Sequence, residues 1–238
     1  MKTAILIPTY NESENIIALI TEIDRQGLGE DVEIIVIDDA SPDGTGKLAD
    51  DLSRRMSHVT CIHRSGKLGL GSAYRTGFQE ALQRGCEAVV TMDADFSHHP
   101  RYLPALLQAA VRADVVIGSR YVEGGGQRGC TFVRQMLSRG ANAFARILLR
   151  IRAHDTTAGF RCYRSSVFSR IDPQQVKSEG YSFLIEMLTY CSRMNITMEE
   201  VPIIFENRTR GASKISRGEI FQALRTVFRL AFRSSRRA

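Results

Sequence analysis

No stretch of this 238-residue sequence approaches the roughly 18 consecutive apolar residues that a membrane-crossing helix requires. The N-terminal run, Met1-Lys2-Thr3-Ala4-Ile5-Leu6-Ile7-Pro8, is broken too early for a secretory leader and reads as a first strand. Cysteine is sparse: Cys61, Cys86, Cys130, Cys162 and Cys191 are odd in number, widely spaced and without a Cys-x-x-Cys pair. That excludes a disulfide framework or a zinc ribbon and points to reduced thiols in the cytosol. The first strand is not followed by Gly-x-Gly-x-x-Gly; Pro8-Thr9-Tyr10-Asn11-Glu12 stands there, and the glycines of Gly66–Gly71 come after the third strand. A dinucleotide-dependent dehydrogenase is set aside on that ground.

What is present is ordinary in bulk and uneven in detail. With 43% hydrophobic and 24% charged residues, the chain has enough apolar material for one sizeable core. The net charge of +6 is concentrated: from Arg208 onward nine Lys/Arg face one acid, Glu219, so the preceding residues sum to slightly acidic. Local basicity of this kind suits phosphates or an anionic membrane surface; nucleic acid has no supporting motif.

Apolar runs at 3–8, 32–37, 59–62, 87–92 and 114–118 alternate with helical periodicity in between. This predicts an α/β protein whose mostly parallel sheet is covered by helices on both faces. Asn11 or Ser13 is expected to cap the first helix, with an acidic first turn. Ligands of such sheets bind beyond the carboxyl ends of the strands. Three polar tips lie there: Pro8–Glu12, Asp38–Asp39 and Asp93-Ala94-Asp95. Two carboxylates one residue apart on a strand tip can share a hard divalent cation, although Asp is also common in plain turns.

Past Arg120-Tyr121 the alternation breaks. Glu123-Gly124-Gly125-Gly126 reads as a flexible lid, and residues 131–151 as an amphipathic helical stretch. Between Arg128 and Arg152 there are six arginines and no acid. A strand over 198–205 is expected at a sheet edge because of Pro202. Residues 218–233 place Ile220, Phe221, Leu224, Val227, Phe228 and Ala231 on one face, with Arg225, Arg229 and Arg233 on the other. Such a helix either packs on the core or lies in a membrane interface.

The motifs Pro8-Thr9-Tyr10-Asn11-Glu12, Asp38-Asp39-x-Ser41-Pro42-Asp43-Gly44-Thr45, Gly66-Lys67-x-Gly69-Leu70-Gly71, Asp93-Ala94-Asp95, Ser119-Arg120-Tyr121, Ser138-Arg139-Gly140-Ala141-Asn142, Gly159-Phe160-Arg161 and Arg208 through Lys214 form an ordered set. Together they resemble the dolichol-phosphate (polyprenol-phosphate) mannose synthases, inverting family-2 glycosyltransferases of GT-A (Rossmann-like) fold. The resemblance spans residue 4 to about 220. It implies mannose transfer from GDP-mannose to a dolichyl or polyprenyl monophosphate with Mg²⁺ or Mn²⁺.

By position, Pro8, Tyr10, Glu12, Asp39, Lys67 and Ala94 would hold the nucleotide sugar, and Asp93 and Asp95 the metal. Arg208 and Lys214 would clamp the diphosphate; Arg120, Arg134 and Ser138 would receive the acceptor phosphate. Asp95, Arg120, Arg208 and Lys214 are the expected catalytic set. Ser97 stands where some relatives have Gln, which leaves a third protein ligand open. His98, His99, Asp38 and Asp43 are read as turn and capping residues, Asp155 and Arg161 as an internal ion pair, and Glu186 as a weaker site candidate. The expected organisation is a catalytic unit at 1–217, with 131–152 at the acceptor and membrane interface, followed by a basic amphipathic helix and tail at 218–238. Without a membrane span, the chain is expected at the cytoplasmic face of a membrane, held peripherally or through an anchoring partner. Two alternatives stay open: another donor such as UDP-glucose, or a non-catalytic lipid-binding protein.

Overall fold

The structure, a computed structural model, describes residues 1–207 and 217–234. In chain order the elements are β1 (Thr3–Thr9), α1 (Ile16–Asp24), β2 (Val32–Asp38), α2 (Thr45–Arg55), β3 (Val59–His63), α3 (Leu70–Gln83), β4 (Ala88–Thr91), α4 (Leu103–Ala109), β5 (Val115–Ser119), β6 (Gly126–Arg128) and α5 (Phe132–Leu149). Then follow β7 (Arg161–Arg164), α6 (Ser165–Arg170), α7 (Tyr181–Arg193), β8 (Met198–Pro202), β9 (Ile204–Glu206) and α8 (Arg217–Ser234).

Seven strands form one sheet in the order β3-β2-β1-β4-β7-β5-β8. All neighbouring pairs are parallel except those made by β7, which runs antiparallel between β4 and β5. Because side chains alternate across a strand, the two faces feed two apolar cores. Leu6, Ile35 and Ile37 pack with Phe78 and Phe183 on one side; Ile5, Ile7, Ile34 and Val36 pack with Leu19 and Leu106 on the other. Helix α3 lies close to the sheet at Gly77, where a Cβ would meet Leu6 Cδ1 at 2.7 Å and Ile37 Cδ1 at 2.8 Å. The expected α/β sheet with helices on both faces is therefore what forms.

Several local expectations change. Helix α1 starts at Ile16, with no acid in its first turn and no side-chain cap. The segment before it is held by the β2–α2 loop instead. Asn11 N–H donates to Ser41 Oγ, Glu12 N–H to Thr45 Oγ1 and Ser13 N–H to Asp43. The expected strand over 198–205 is two strands. Pro202 has no N–H to continue the ladder, Ile203 N–H donates to Ser119 O at 3.0 Å, and the chain then joins β6 in a separate two-stranded sheet. Its first half, β8, is the sheet edge that Pro202 suggested.

The glycine segment is not an open lid. Gly125 N–H donates to Val122 O, a Cβ at Gly125 would come within 2.6 Å of Ser119 O, and Gly126 already belongs to β6. Asp155 and Arg161 do not pair. Arg161 is fully buried and donates to Tyr163 Oη and to the carbonyls of Leu184 and Thr156, whereas Asp155 faces Arg120. The five cysteines are free thiols.

Candidate active site

The carboxyl ends of β1, β2 and β4 open onto a cavity of about 340 Å³. Pro8, Tyr10, Glu12, Asp39, Lys67, Asp93, Ala94 and Asp95 all line it. These eight are the residues expected for the nucleotide sugar, apart from Arg208 and Lys214, which lie outside the described residues. Thr9, Gly69, Leu70, Ala73, Glu179, Gly180, Tyr181 and Gln222 complete the wall.

Each acidic tip is held in place by its own loop. Asp38 turns inward and accepts from Thr9 Oγ1 at 3.0 Å and from Ser41 N–H at 3.0 Å. Asp43 accepts from Ser13 N–H and from the Thr45 N–H and hydroxyl. Burial alone would raise the Asp43 carboxyl, but the hydrogen bonds from Thr45 and Ser13 outweigh it and bring it down to about 2. Both therefore serve turn geometry, as read from the sequence. Asp39 is buried against Arg64 at 2.7 Å and accepts from the backbone N–H groups of Leu68 and Gly69. It thus anchors the 64–69 loop while facing the cavity, and Lys67, carried by that loop, sits 4.2 Å above the Tyr10 ring. A cation over that aromatic face is favoured. Glu12 accepts from Asn15 Nδ2 at 2.9 Å.

At the third tip, Phe96 adopts φ 62°, folding the chain back so that Ser97 N–H and Ser97 Oγ both donate to Asp95 Oδ1, at 3.0 and 2.6 Å. Ser97 is 1% exposed. The doubtful position therefore orients Asp95 rather than facing the cavity. His98 is equally committed: its Nδ1 accepts from Asp93 N–H at 3.1 Å and its ring stacks on Phe160. His99 Nδ1 accepts from Arg101 N–H, capping the turn at Pro100.

The donor set fits a hard divalent cation: two carboxylates from one strand tip, one fixed by Ser97, beside a cavity large enough for a ligand that completes the coordination. Next to them the buried Tyr74 hydroxyl has no hydrogen-bond partner among the described residues. A Cβ on Gly159 would stand 3.7 Å from that hydroxyl and 3.5 Å from Asp93 Oδ1. Burial first, then the nearby Asp93, pushes the Tyr74 phenol well up, so it stays a neutral donor.

On the β5 side, Arg120 makes a bidentate pair with fully buried Asp155, Nε and Nη2 each 2.7 Å from a carboxylate oxygen, and also donates to Thr157 Oγ1 at 2.6 Å. Burial would raise Asp155, but Arg120 outweighs it and holds the carboxyl below its usual range. Ser138 lies within 2.7 Å of Tyr121 Oη, on α5. The Arg134 side chain lies outside the described residues. Arg120 and Ser138 are thus on neighbouring elements, joined through Tyr121.

Sequence reasoning missed the 179–181 corner. Glu179 pairs with Arg75 and accepts from Ser72 N–H, which brings the start of α7 over the cavity. Gly180, with φ 57°, permits the sharp entry into α7. The only signal was Gly180 immediately before a helical run. Glu186, on α7, does not reach the cavity lining. It is buried and accepts from Ser178, Tyr190 and Arg229, tying α8 to the core.

The sequence profile of Glycosyl transferase family 2 matches residues 4–172. The chain is 44% identical over 225 residues to the polyprenol monophosphomannose synthase of Mycolicibacterium smegmatis, covering 94% of this chain and 84% of that protein. It is 41% identical over 229 residues to the undecaprenyl-phosphate mannosyltransferase of Micrococcus luteus, covering 96% and 93%. Among solved structures, glucosyl-3-phosphoglycerate synthase from Mycobacterium tuberculosis superposes with a TM-score of 0.68 at 19% identity, covering 97% of this chain and 80% of that one. That likeness concerns the fold. The profile match and the two curated relatives, together with the strand-tip cavity, lead to one assignment: the chain belongs to glycosyl transferase family 2 and has the GT-A-like α/β fold.

Proposed function

We propose that the protein transfers mannose from GDP-mannose to a polyprenyl or dolichyl monophosphate, with inversion, giving a polyprenyl β-mannosyl phosphate. The observation that carries this reading is the convergence of Pro8, Tyr10, Glu12, Asp39, Lys67, Asp93, Ala94 and Asp95 on one cavity. The names of the two curated relatives supply the sugar and the lipid-phosphate class.

In this reading Tyr10, Glu12 and Asp39 hold the nucleoside and Lys67 stands over it. Asp93 and Asp95 hold Mg²⁺ or Mn²⁺; the neighbour from Mycobacterium tuberculosis was crystallised with either ion. When bound, the ion offsets charge on the diphosphate leaving group. Ser97 keeps the Asp95 carboxylate oriented for that role, so that little rearrangement is needed. The acceptor phosphate is already anionic near neutral pH and needs no general base; it needs cations that orient it for in-line attack. Arg120, held by Asp155 and Thr157, serves that purpose with Arg134 and Ser138, while Arg208 and Lys214 clamp the diphosphate.

A lipid acceptor also accounts for an unusual surface. No described helix is long and apolar enough to cross a membrane. Yet α5 leaves Phe132 and Ile147 76% exposed and Leu137 70% exposed, with Val133 and Met136 beside them. Helix α8 extends this face through Phe228 and Phe232, Phe228 packing edge-on against Phe144 at 5.7 Å. Two adjoining helices with bare apolar faces suit the interface of a membrane, where the lipid acceptor resides. The protein would work peripherally on the cytoplasmic face.

Incubating the purified full chain with labelled GDP-mannose, Mn²⁺ or Mg²⁺ and a polyprenyl phosphate should give labelled lipid. Labelled lipid from UDP-glucose alone would transfer the assignment to a glucosyl donor, and none from either donor would refute it.

A further inference from the structure

Asp50, Cys61 and His63 meet at the sheet edge opposite β8. There β3 is the outermost strand, and Cys61 and His63, two residues apart, point to the same face of it. Helix α2 packs beside β3 and brings Asp50 from its second turn. His63 Nε2 lies 2.9 Å from Asp50 Oδ1, and the ligand atoms of all three side chains lie within 4.8 Å of one another. Among the described residues, no other three Cys, His, Asp or Glu side chains converge in this way. Gly46, one turn before Asp50, makes room for the arrangement. A Cβ there would come within 3.0 Å of His63 Cε1 and 2.8 Å of Asp38 Oδ2; without one, the imidazole lies against α2 and turns its Nε2 to Asp50.

The donor set differs in kind from that at Asp93 and Asp95. Two carboxylates suit a hard ion such as Mg²⁺ or Mn²⁺, whereas a thiol and an imidazole beside one carboxylate suit zinc and ions like it. Ligand atoms around tetrahedral zinc stand roughly 3.3–3.8 Å apart, so the three groups must close by no more than about 1.5 Å. Asp50 and His63 are both partly open to solvent and free to make that adjustment. Burial, then Asp50 and Asp38, pushes the Cys61 thiol up to about 12. The same carboxylates that oppose a bare thiolate favour a cation beside it, and a metal-bound thiol gives up its proton.

We infer that Asp50, Cys61 and His63 form a binding site for one divalent ion of the zinc class, with water at the fourth position. From His63 the chain runs directly into the 64–69 loop, which Asp39 anchors through Arg64 and which carries Lys67 to the donor cavity. An ion at this site therefore joins α2 to the base of that loop. The inference stands on these side chains and does not require the proposed function.

The test is titration of the full chain, reduced and free of metal, with Co²⁺ in excess Mg²⁺. It is read by the near-ultraviolet band that a thiolate gives when bound to cobalt. No cysteine is among the described residues lining the donor cavity, so cobalt at Asp93 and Asp95 does not contribute. Wild type and Cys130→Ser should develop the band to saturation at one equivalent, and Zn²⁺ should abolish it. Cys61→Ser should lack the band, and His63→Gln and Asp50→Asn should bind cobalt roughly tenfold or more weakly. The last two positions are partly exposed, so these variants isolate the metal effect with the core intact. Zn²⁺ should also raise the thermal unfolding midpoint of wild type and leave that of His63→Gln in place. No band in wild type, an equal band in Cys61→Ser or in His63→Gln, or an equal rise in midpoint in both proteins would overturn the site. Displacement of cobalt by Mn²⁺ as readily as by Zn²⁺ would overturn the zinc-class assignment.

Discussion

The donor cavity and the α5–α8 face are built on opposite principles. Among the described residues around the donor cavity, charged groups are already engaged: Asp39 with Arg64, Asp95 with Ser97, Glu179 with Arg75. On the α5 face the pattern reverses, with large apolar side chains left bare and Arg139 and Arg146 unpaired among the described residues. Groups locked before the ligand arrives favour catalysis of one reaction, since little reorganisation remains. Groups left unsatisfied favour attachment to something outside the chain. On the proposed function, the strand tips would serve the chemistry and the late helices the surface where the lipid lies.

The contrast can be broken in order of effect. Asp95→Ala should lower kcat by about 10³-fold, with the fold preserved by circular dichroism; transfer at wild-type rate would remove Asp95 from the metal site. Next, Phe132→Ser/Leu137→Ser/Ile147→Ser should cut partitioning onto vesicles by roughly 100-fold while changing stability by about 0.5 kcal/mol or less per site. Vesicle flotation and denaturant unfolding check the two parts separately. Arg229→Ala leaves Glu186 buried without its cation and should cost about 2 kcal/mol, discounted because the arginine is partly exposed. Undiminished stability would mean α8 is held by its apolar contacts alone.

The smallest effect concerns Asp43. Its folded carboxyl, at about 2, lies below the usual 3.8. Its contribution is therefore fully present above the usual value and is lost as pH falls from there toward 2. Asp43→Asn should be less stable at neutral pH by about 0.5–1 kcal/mol, reduced by solvent screening, and should match wild type near pH 2. Denaturant midpoints across that range would show it.

The two regions also differ in how far their sequence could be read. Strand-tip residues were legible because an apolar run fixes where a strand ends, and a parallel sheet gathers such ends on one rim. Pro8, Asp39 and Asp93 needed no further information. The 179–181 corner was not legible, because Glu179 reaches the cavity through Arg75 and Ser72, more than a hundred residues earlier. Asp155 illustrates the same limit. It was paired from sequence with Arg161, six residues on, but the antiparallel β7 sends Arg161 into the core and leaves Asp155 to Arg120. Ser97 was read as a doubtful ligand because the φ of Phe96, which turns it onto Asp95, leaves no mark in a sequence. On α5 the amphipathic pattern was plain, but the cavity that its Arg139, Asn142, Ala143 and Arg146 form with Arg120, Tyr121, Val122 and Gly125 depends on the 120–125 turn packing beside it.

The most direct test separates the two regions within one pair of proteins. Asp95→Ala and the Phe132→Ser/Leu137→Ser/Ile147→Ser variant are each titrated with GDP in the presence of Mn²⁺ and each floated with vesicles. The account expects Asp95→Ala to lose GDP affinity and keep vesicle binding, and the apolar-face variant to do the reverse. Loss of both properties in either variant, or GDP affinity unchanged in Asp95→Ala, would contradict it.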